Sequence, residues 1–269
     1  MTEYNQDYVT VDGVRLHYYH GGSGETAILL LHGATDNGMC WKPVADRLAE
    51  EYRVVMPDAQ GHGLSDRLGP DFDYLDHARQ VAGLVRELGI HKPVLAGHSM
   101  GAGTAANAAA LYPDMPKAII LEDPGWGVPP QAPSEKGPVN NDFVRRSVEM
   151  TQMSLEQLVA QCRAENPSWP DEEMVPWAEA KQQYDTNLFS VMQIGRPSYR
   201  ETVPKIKCPG LLLTAENGIV SDDIAAEAME IWTAEKPLRH VKVMGAGHNI
   251  RREQYRTFMD AVLGFLKTL

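Results

Sequence analysis

The chain has 269 residues, 43% of them hydrophobic and 23% charged, an ordinary globular balance that excludes a disordered chain, a collagen-like chain and a coiled coil. No apolar run approaches the ~20 residues of a membrane span. With 25 Lys+Arg against 36 Asp+Glu the net charge is −11. Such a chain is repelled by phosphate backbones and anionic lipid surfaces, so nucleic acid and membranes make poor partners. Cys40, Cys162 and Cys208 form neither a disulfide framework nor a metal-ligand spacing, and read as packing residues. Met1–Tyr8 carries Glu3 and Asp7 and no apolar centre, so it does not read as a secretory signal; a reducing cytoplasm is the expected compartment.

In chain order, residues 8–20 read as a hairpin around Asp12-Gly13, a two-residue turn signal. Gly21-Gly22-Ser23-Gly24 is a loop, after which strands and helices alternate. Ala27–Leu31, Arg53–Met56, Val94–Ala96, Ala118–Leu121, Leu211–Thr214 and Leu238–Met244 read as strands. Met39–Glu50, Leu75–Leu88, Met100–Leu111, Asp222–Trp232 and Arg251–Leu266 read as helices. This alternation predicts an α/β fold with a mostly parallel sheet. Its strands are continuous apolar runs because both faces are covered.

The alternation breaks between Pro124 and Pro204. This stretch opens with Pro124-Gly125-Trp126-Gly127-Val128-Pro129-Pro130 and continues with helical patterns at Asp142–Gln152, Leu155–Ala164 and Asp171–Gln183. Roughly 80 residues cannot be a bare loop in a compact domain. The expected organisation is a core of residues 1–123 and 204–269 with a helical cap at 124–203.

Gly97-His98-Ser99-Met100-Gly101 follows a strand and opens a helix, the context a nucleophile elbow requires. The turn is sharp, so its flanking positions must be small, and the helix N-terminus behind it offers N–H groups to a developing oxyanion. Ser99 is the candidate nucleophile. His32-Gly33-Ala34, after the buried run Leu29–Leu31, fits the loop that supplies the second donor. The expected oxyanion donors are Met100 and Ala34, with Gly33 a weaker choice than Ala34. Pro57-Asp58-Ala59-Gln60-Gly61-His62-Gly63-Leu64-Ser65 is assigned a structural turn. Val241–Met244 runs into Gly245-Ala246-Gly247-His248, and His248 is the candidate base. Among the other histidines, His98 lies behind the nucleophile, while His17, His20, His77, His91 and His240 read as surface or strand positions.

With these motifs the chain resembles the α/β-hydrolase fold family over nearly its whole length. The resemblance implies a central, mostly parallel sheet with an N-terminal hairpin, helices on both faces and a helical cap insertion. It implies a Ser–His–acid triad without metal or cofactor. The acid usually follows the next-to-last strand, but here the expected position is Gly218, in Glu216-Asn217-Gly218. Asp123, 24 residues after Ser99, falls where a subgroup of haloalkane dehalogenases and the fungal zearalenone lactonases place theirs. Glu122 would point to the opposite face, and Glu216 comes two residues early. Asp123 is the candidate acid.

Trp126, Trp169, Trp177, Tyr184, Phe189, Met150, Met153, Met174 and Met192 suit a moderately large apolar or aromatic ester or lactone, although most are expected to form the cap's own core. Trp177, Trp126 and His32 are the candidate substrate-binding residues. A lactonase is favoured. A general carboxylesterase, a carbon–carbon bond hydrolase of ring-cleavage products and a slow, receptor-like hydrolase are the alternatives. The expected partner is a small-molecule substrate, with a homodimer left open.

Overall fold

The computed structural model describes residues 3–127, 142–191 and 196–269. Val128, Pro129, Pro130 and Met192 lie outside the described residues. The strands are β1 (Asn5–Val11), β2 (Val14–Gly21), β3 (Ala27–Leu31), β4 (Arg53–Pro57), β5 (Val94–His98), β6 (Ala118–Glu122), β7 (Gly210–Asn217) and β8 (Arg239–Gly247). They form one sheet in the order β1-β2-β4-β3-β5-β6-β7-β8. β1 pairs antiparallel with β2, and β2 with β4, while the remaining pairs are parallel.

Between them run α1 (Lys42–Leu48), α2 (Asp76–Glu87), α3 (Met100–Leu111), α4 (Asp142–Met150), α5 (Leu155–Glu165), α6 (Asp171–Gln183), α7 (Leu188–Val191), α8 (Tyr199–Thr202), α9 (Asp222–Glu230), α10 (Ile250–Glu253) and α11 (Tyr255–Leu266). No helix among the described residues is long and apolar enough to cross a membrane.

Every residue of β3, β5 and β6 is buried, and alternation sends successive side chains to opposite faces. Leu29, Leu31, Leu95, Ile119 and Leu121 pack with Val81 and Leu84 of α2 and the alanines of α3. Ile28, Leu30, Val94, Ala96 and Ile120 pack with Trp41, Leu48 and, from α11, Phe258, Val262 and Phe265. The three thiols are buried.

Two expected helices are divided. The segment from Met39 begins as a 3₁₀ turn, Gly38–Trp41, and becomes α1 only at Lys42. Pro43, in the first turn of α1, has no N–H to continue an earlier helix but suits the start of a new one. At the C-terminus, α10 carries Arg251 and Arg252 into a buried charge cluster. The chain leaves helical backbone at Gln254 (φ −132°, ψ 53°) before the apolar face of α11 begins.

The turn after β4 is built around Asp58. Its carboxylate is fully buried and accepts from the N–H of Gly38 (2.7 Å) and Leu64 (2.9 Å) and meets His17 Nδ1 at 2.8 Å. A Cβ on Gly63 would lie 2.1 Å from Asp58 Oδ2, so only glycine leaves room there. His77 is not a surface residue: it is buried on α2 and donates from Nε2 to the Gln60 carbonyl at 3.0 Å.

Burial drives the imidazoles of His32, His62, His77 and His98 below their ordinary value, His77 to about 4. Between that value and the ordinary 6.5 of an unfolded histidine, the unfolded chain binds the extra proton. The stability these histidines contribute by staying neutral is therefore complete above pH 6.5 and is lost as pH falls toward 4. His77 alone accounts for about 3 kcal/mol of that loss. Urea unfolding is expected to give a free energy several kcal/mol smaller at pH 4.5 than at pH 7. His77→Gln, which can still donate to the Gln60 carbonyl, is expected to recover part of the difference. Equal pH slopes for the two proteins would contradict this account.

Candidate active site

Ser99 occupies a strained backbone conformation, φ 51° and ψ −111°, between β5 and α3. The glycines beside it are required by contact. A Cβ on Gly97 would lie 2.3 Å from the Gly101 carbonyl, and one on Gly101 would lie 2.1 Å from the Leu31 carbonyl. The elbow is thus pressed against the end of β3, and the N–H groups of the first turn of α3 have no carbonyl ahead of them in the helix. The His32-Gly33-Ala34 loop crosses directly over this point: a Cβ on Gly33 would be 3.6 Å from Ser99 Cβ and 2.8 Å from His98 Nδ1. Ala34, Ser99 and His248 share one cavity of about 200 Å³.

His248 follows β8, and its Nδ1 lies 2.6 Å from Asp123 Oδ2. The Asp123 carboxylate is completely buried and accepts two further bonds, from the N–H of Ile219 (2.9 Å) and Val220 (3.1 Å). With the Asp123 carboxylate accepting at this contact, Nδ1 carries the imidazole proton and Nε2 is left with a lone pair. Asp123 reaches this position from left-handed backbone (φ 40°) with its N–H on the Leu213 carbonyl at 2.8 Å.

The structure explains the glycine at the position where an acid was expected. A Cβ at Gly218 would lie 2.6–2.8 Å from the Asp123 carboxyl atoms. The carboxylate supplied from β6 fills the space that a side chain at 218 would need.

The other two acids turn elsewhere. Glu122 faces the α11 side of the sheet, as alternation requires. It accepts from the Arg251 N–H (2.8 Å) and Nη1 (3.1 Å), and burial pushes its carboxyl up while Arg251 pulls it down. Glu216 is exposed and accepts from the Gly245 N–H at 2.8 Å.

Trp177 lines the cavity with Phe143 and Met150. It also belongs to the core of the helical insert with Leu158, Cys162, Trp169 and Met174. The other two expected substrate contacts are corrected. His32 is buried; its Nδ1 meets the Gly33 carbonyl (2.8 Å) and its Nε2 accepts from the Ala59 N–H (3.0 Å). With both nitrogens committed to tying two loops together, it is absent from the lining of the Ser99 cavity. Trp126 stacks on Tyr199 at 5.6 Å and packs against the main core, also away from that lining.

Sequence reasoning missed the polar wall of the cavity: Thr35, Asp36, Lys181, Asn249 and Arg252. Asp36 is buried and pairs with Lys181 (3.1 Å), Arg252 (3.2 Å) and Arg251 (3.4 Å). Burial opposes its charge, but these cations outweigh it and hold the carboxyl well below the usual range. Burial likewise works against the Arg252 charge, and Asp36 with Glu173 more than restores it. No local signal marked them: Arg251-Arg252 is followed by Glu253, Gln254 and Arg256, a polar run that reads as a solvated helical turn.

Residues 28–261 match the alpha/beta hydrolase family. The chain belongs to that family and is a hydrolase. N-formylmaleamate deformylase of Pseudomonas putida is 29% identical over 96% of this chain and 95% of its own length. 2-(Acetamidomethylene)succinate hydrolase of Mesorhizobium japonicum is 35% identical, in a match spanning 43% of this chain and 41% of that protein. A crystal structure of E-2-(acetamidomethylene)succinate hydrolase superposes with a TM-score of 0.82 at 22% identity, covering 98% of this chain and all of that one.

Asp123→Asn keeps the shape of the carboxylate but not its charge, and is expected to lower kcat by on the order of 10⁴. Glu216→Gln is expected to leave kcat within about twofold, because a surface change away from the site has little to disturb. Gly218→Ala, which crowds the carboxylate, is expected to lower kcat at least tenfold while the chain stays folded. A dead Glu216→Gln beside an active Asp123→Asn would reassign the acid.

Proposed function

We propose that the protein is a serine hydrolase that cleaves an acyl bond of a compact substrate through an acyl-enzyme. The observation that carries this reading is the His248–Asp123 contact beside Ser99 in its strained elbow. Ser99 Oγ attacks the substrate carbonyl while His248 Nε2 takes its proton. The N–H groups of Met100 and Ala34 receive the oxyanion. His248 then returns the proton to the leaving group, and water, activated by the same imidazole, releases the acyl group. Asp123 holds the imidazole orientation and stabilises the imidazolium. Among the described residues of the insert, 142–191 act as a cap over this centre, since Phe143, Met150, Trp177 and Lys181 all line the cavity.

An ester or lactone fits this chemistry. The cavity that the described residues line holds about 200 Å³ and sets apolar Phe143, Met150 and Trp177 against polar Thr35, Asp36, Lys181, Asn249 and Arg252, which favours a compact substrate over a macrolactone. A second reading is hydrolysis of an N-acyl bond in a small carboxylate. The names of the two relatives, a deformylase of an N-formylmaleamate and a hydrolase of an acetamido succinate, favour it.

Ser99→Ala is expected to lower kcat by on the order of 10⁶, and a serine-reactive phosphonate is expected to label Ser99 alone. A panel of p-nitrophenyl esters, aliphatic lactones, resorcylic macrolactones and N-formyl or N-acetyl carboxylates separates the substrate readings by kcat/KM. Labelling at another residue, or an active Ser99→Ala, would overturn the mechanism. Trp177→Ala is expected to raise KM for aromatic substrates more than for p-nitrophenyl acetate; an equal loss on both, with a lowered Tm, would place Trp177 in the insert core only.

A further inference from the structure

Three non-glycine residues around the cavity hold left-handed backbone: Thr35 (φ 62°), Ser99 (φ 51°) and Asp123 (φ 40°). They follow the carboxyl ends of β3, β5 and β6. Left-handed backbone is disfavoured for any side chain and most of all for a β-branched one. It persists only where the surroundings impose it.

Ser99 and Asp123 are held by the sheet and its loops. The Ser99 N–H donates to the Glu122 carbonyl at 2.9 Å, and the Asp123 N–H to the Leu213 carbonyl. Thr35 is held from a different part of the chain. The Lys181 ammonium, on α6 of the insert, donates to the Thr35 carbonyl (2.8 Å) and to Thr35 Oγ1 (3.0 Å), and it reaches Asp36 Oδ1 at 3.1 Å. Lys181 is 3% exposed and its ammonium lies 4.7 Å over the Trp177 ring. All three ammonium protons have an acceptor, and two of those acceptors belong to Thr35.

Thr35 is the third residue of a tight turn. The Asp36 N–H donates to the Gly33 carbonyl at 3.2 Å, closing Gly33-Ala34-Thr35-Asp36. Positive φ at the third position of such a turn normally selects glycine or asparagine. Threonine is the wrong residue for this turn unless something outside it supplies the preference. If Thr35 relaxed to negative φ, the turn closed by the Asp36 N–H on the Gly33 carbonyl would have to rearrange around Ala34, which shares the cavity with Ser99.

We propose that Lys181 is a positioning residue for hydrolysis. Docked α6 clamps Thr35 in left-handed backbone and so sets the Ala34 N–H in place to receive the oxyanion. The inference rests on the serine-hydrolase reading. It adds that the oxyanion loop is completed by the helical insert, so a displaced insert leaves Ser99, His248 and Asp123 together but weakens one of the two oxyanion donors. Lys181 touches neither substrate nor reacting atoms in this role.

Lys181→Met retains a stem over Trp177 and removes the ammonium. It is expected to lower kcat about 10- to 100-fold, below the full cost of deleting an oxyanion donor, with KM within about threefold. Adding Thr35→Gly to Lys181→Met is expected to restore most of the lost kcat, because glycine adopts positive φ unaided. A role confined to holding the insert in place would not be rescued at Thr35. Thr35→Ala in the otherwise unaltered chain keeps every charge and removes one of the clamp's two acceptors. It is expected to lower kcat several-fold at constant KM, and it carries the test if Lys181→Met does not fold. An unchanged kcat in Thr35→Ala, a loss in Lys181→Met that appears in KM rather than kcat, or no rescue by Thr35→Gly would overturn the proposal. Ser99→Ala assayed alongside separates the two readings. An active Ser99→Ala removes the hydrolase mechanism itself, whereas an inactive one beside fully active Lys181 and Thr35 variants removes only the clamp.

Discussion

Six ionisable side chains meet at and behind the wall of the cavity: Asp36, Glu122 and Glu173 against Lys181, Arg251 and Arg252, each residue at most 4% exposed. Asp36 is shared among the three cations, Glu122 takes Arg251, and Glu173 takes Arg252 at 2.9 Å. Burying charge is costly unless every charge is paired with good geometry, and removing one member of such a set typically costs about 3–5 kcal/mol. The members come from four separate places: the loop after β3, the end of β6, the insert helix α6, and the turn of helix immediately after His248. The cluster therefore fixes the relative positions of the oxyanion loop, the strand that delivers Asp123, the histidine loop and the insert.

That common anchor accounts for where backbone strain is found. Thr35, Ser99 and Asp123 lie in or beside the segments the cluster ties together, and each is held out of its preferred backbone region by hydrogen bonds from neighbouring elements. Strain of this kind survives only in an over-determined setting. The parallel strands supply the first layer of that setting, because β3, β5 and β6 are buried on both faces and cannot shift without disturbing two cores. The ion cluster supplies the second layer at their carboxyl ends, where packing gives way to loops.

The same arrangement separates Asp123 from Glu122. One residue apart, they fall on opposite sides of the sheet end. Glu122 completes the ion cluster, and Asp123 turns through left-handed backbone to meet His248 and to receive the N–H groups of Ile219 and Val220. A buried carboxylate with three donors and one with an arginine partner are both satisfied, but only the first faces an imidazole. Gly218 is the complement of that choice.

The sequence by itself determined the parallel sheet, the elbow at Ser99, the loop carrying Ala34 and the histidine at 248. Each is written in a local pattern: continuous apolar runs, glycines at fixed offsets, and a strand that ends in a glycine-rich turn. Periodicity also located α4, α5 and α6 to within a few residues. Only the tertiary structure decided what depends on distant parts of the chain meeting. His32 and Trp126 proved to be internal ties, because whether a polar or aromatic side chain near a cleft faces it depends on which loops compete for it. The breaks at Pro43 and Gln254 moved helix boundaries that apolar spacing alone had run together. The wall of Thr35, Asp36, Lys181 and Arg252 was not legible, since pairs such as Lys181 and Thr35 are 146 residues apart and no local rule marks a lysine as buried. Buried charges take their meaning from their partners, and those partners are chosen by the fold.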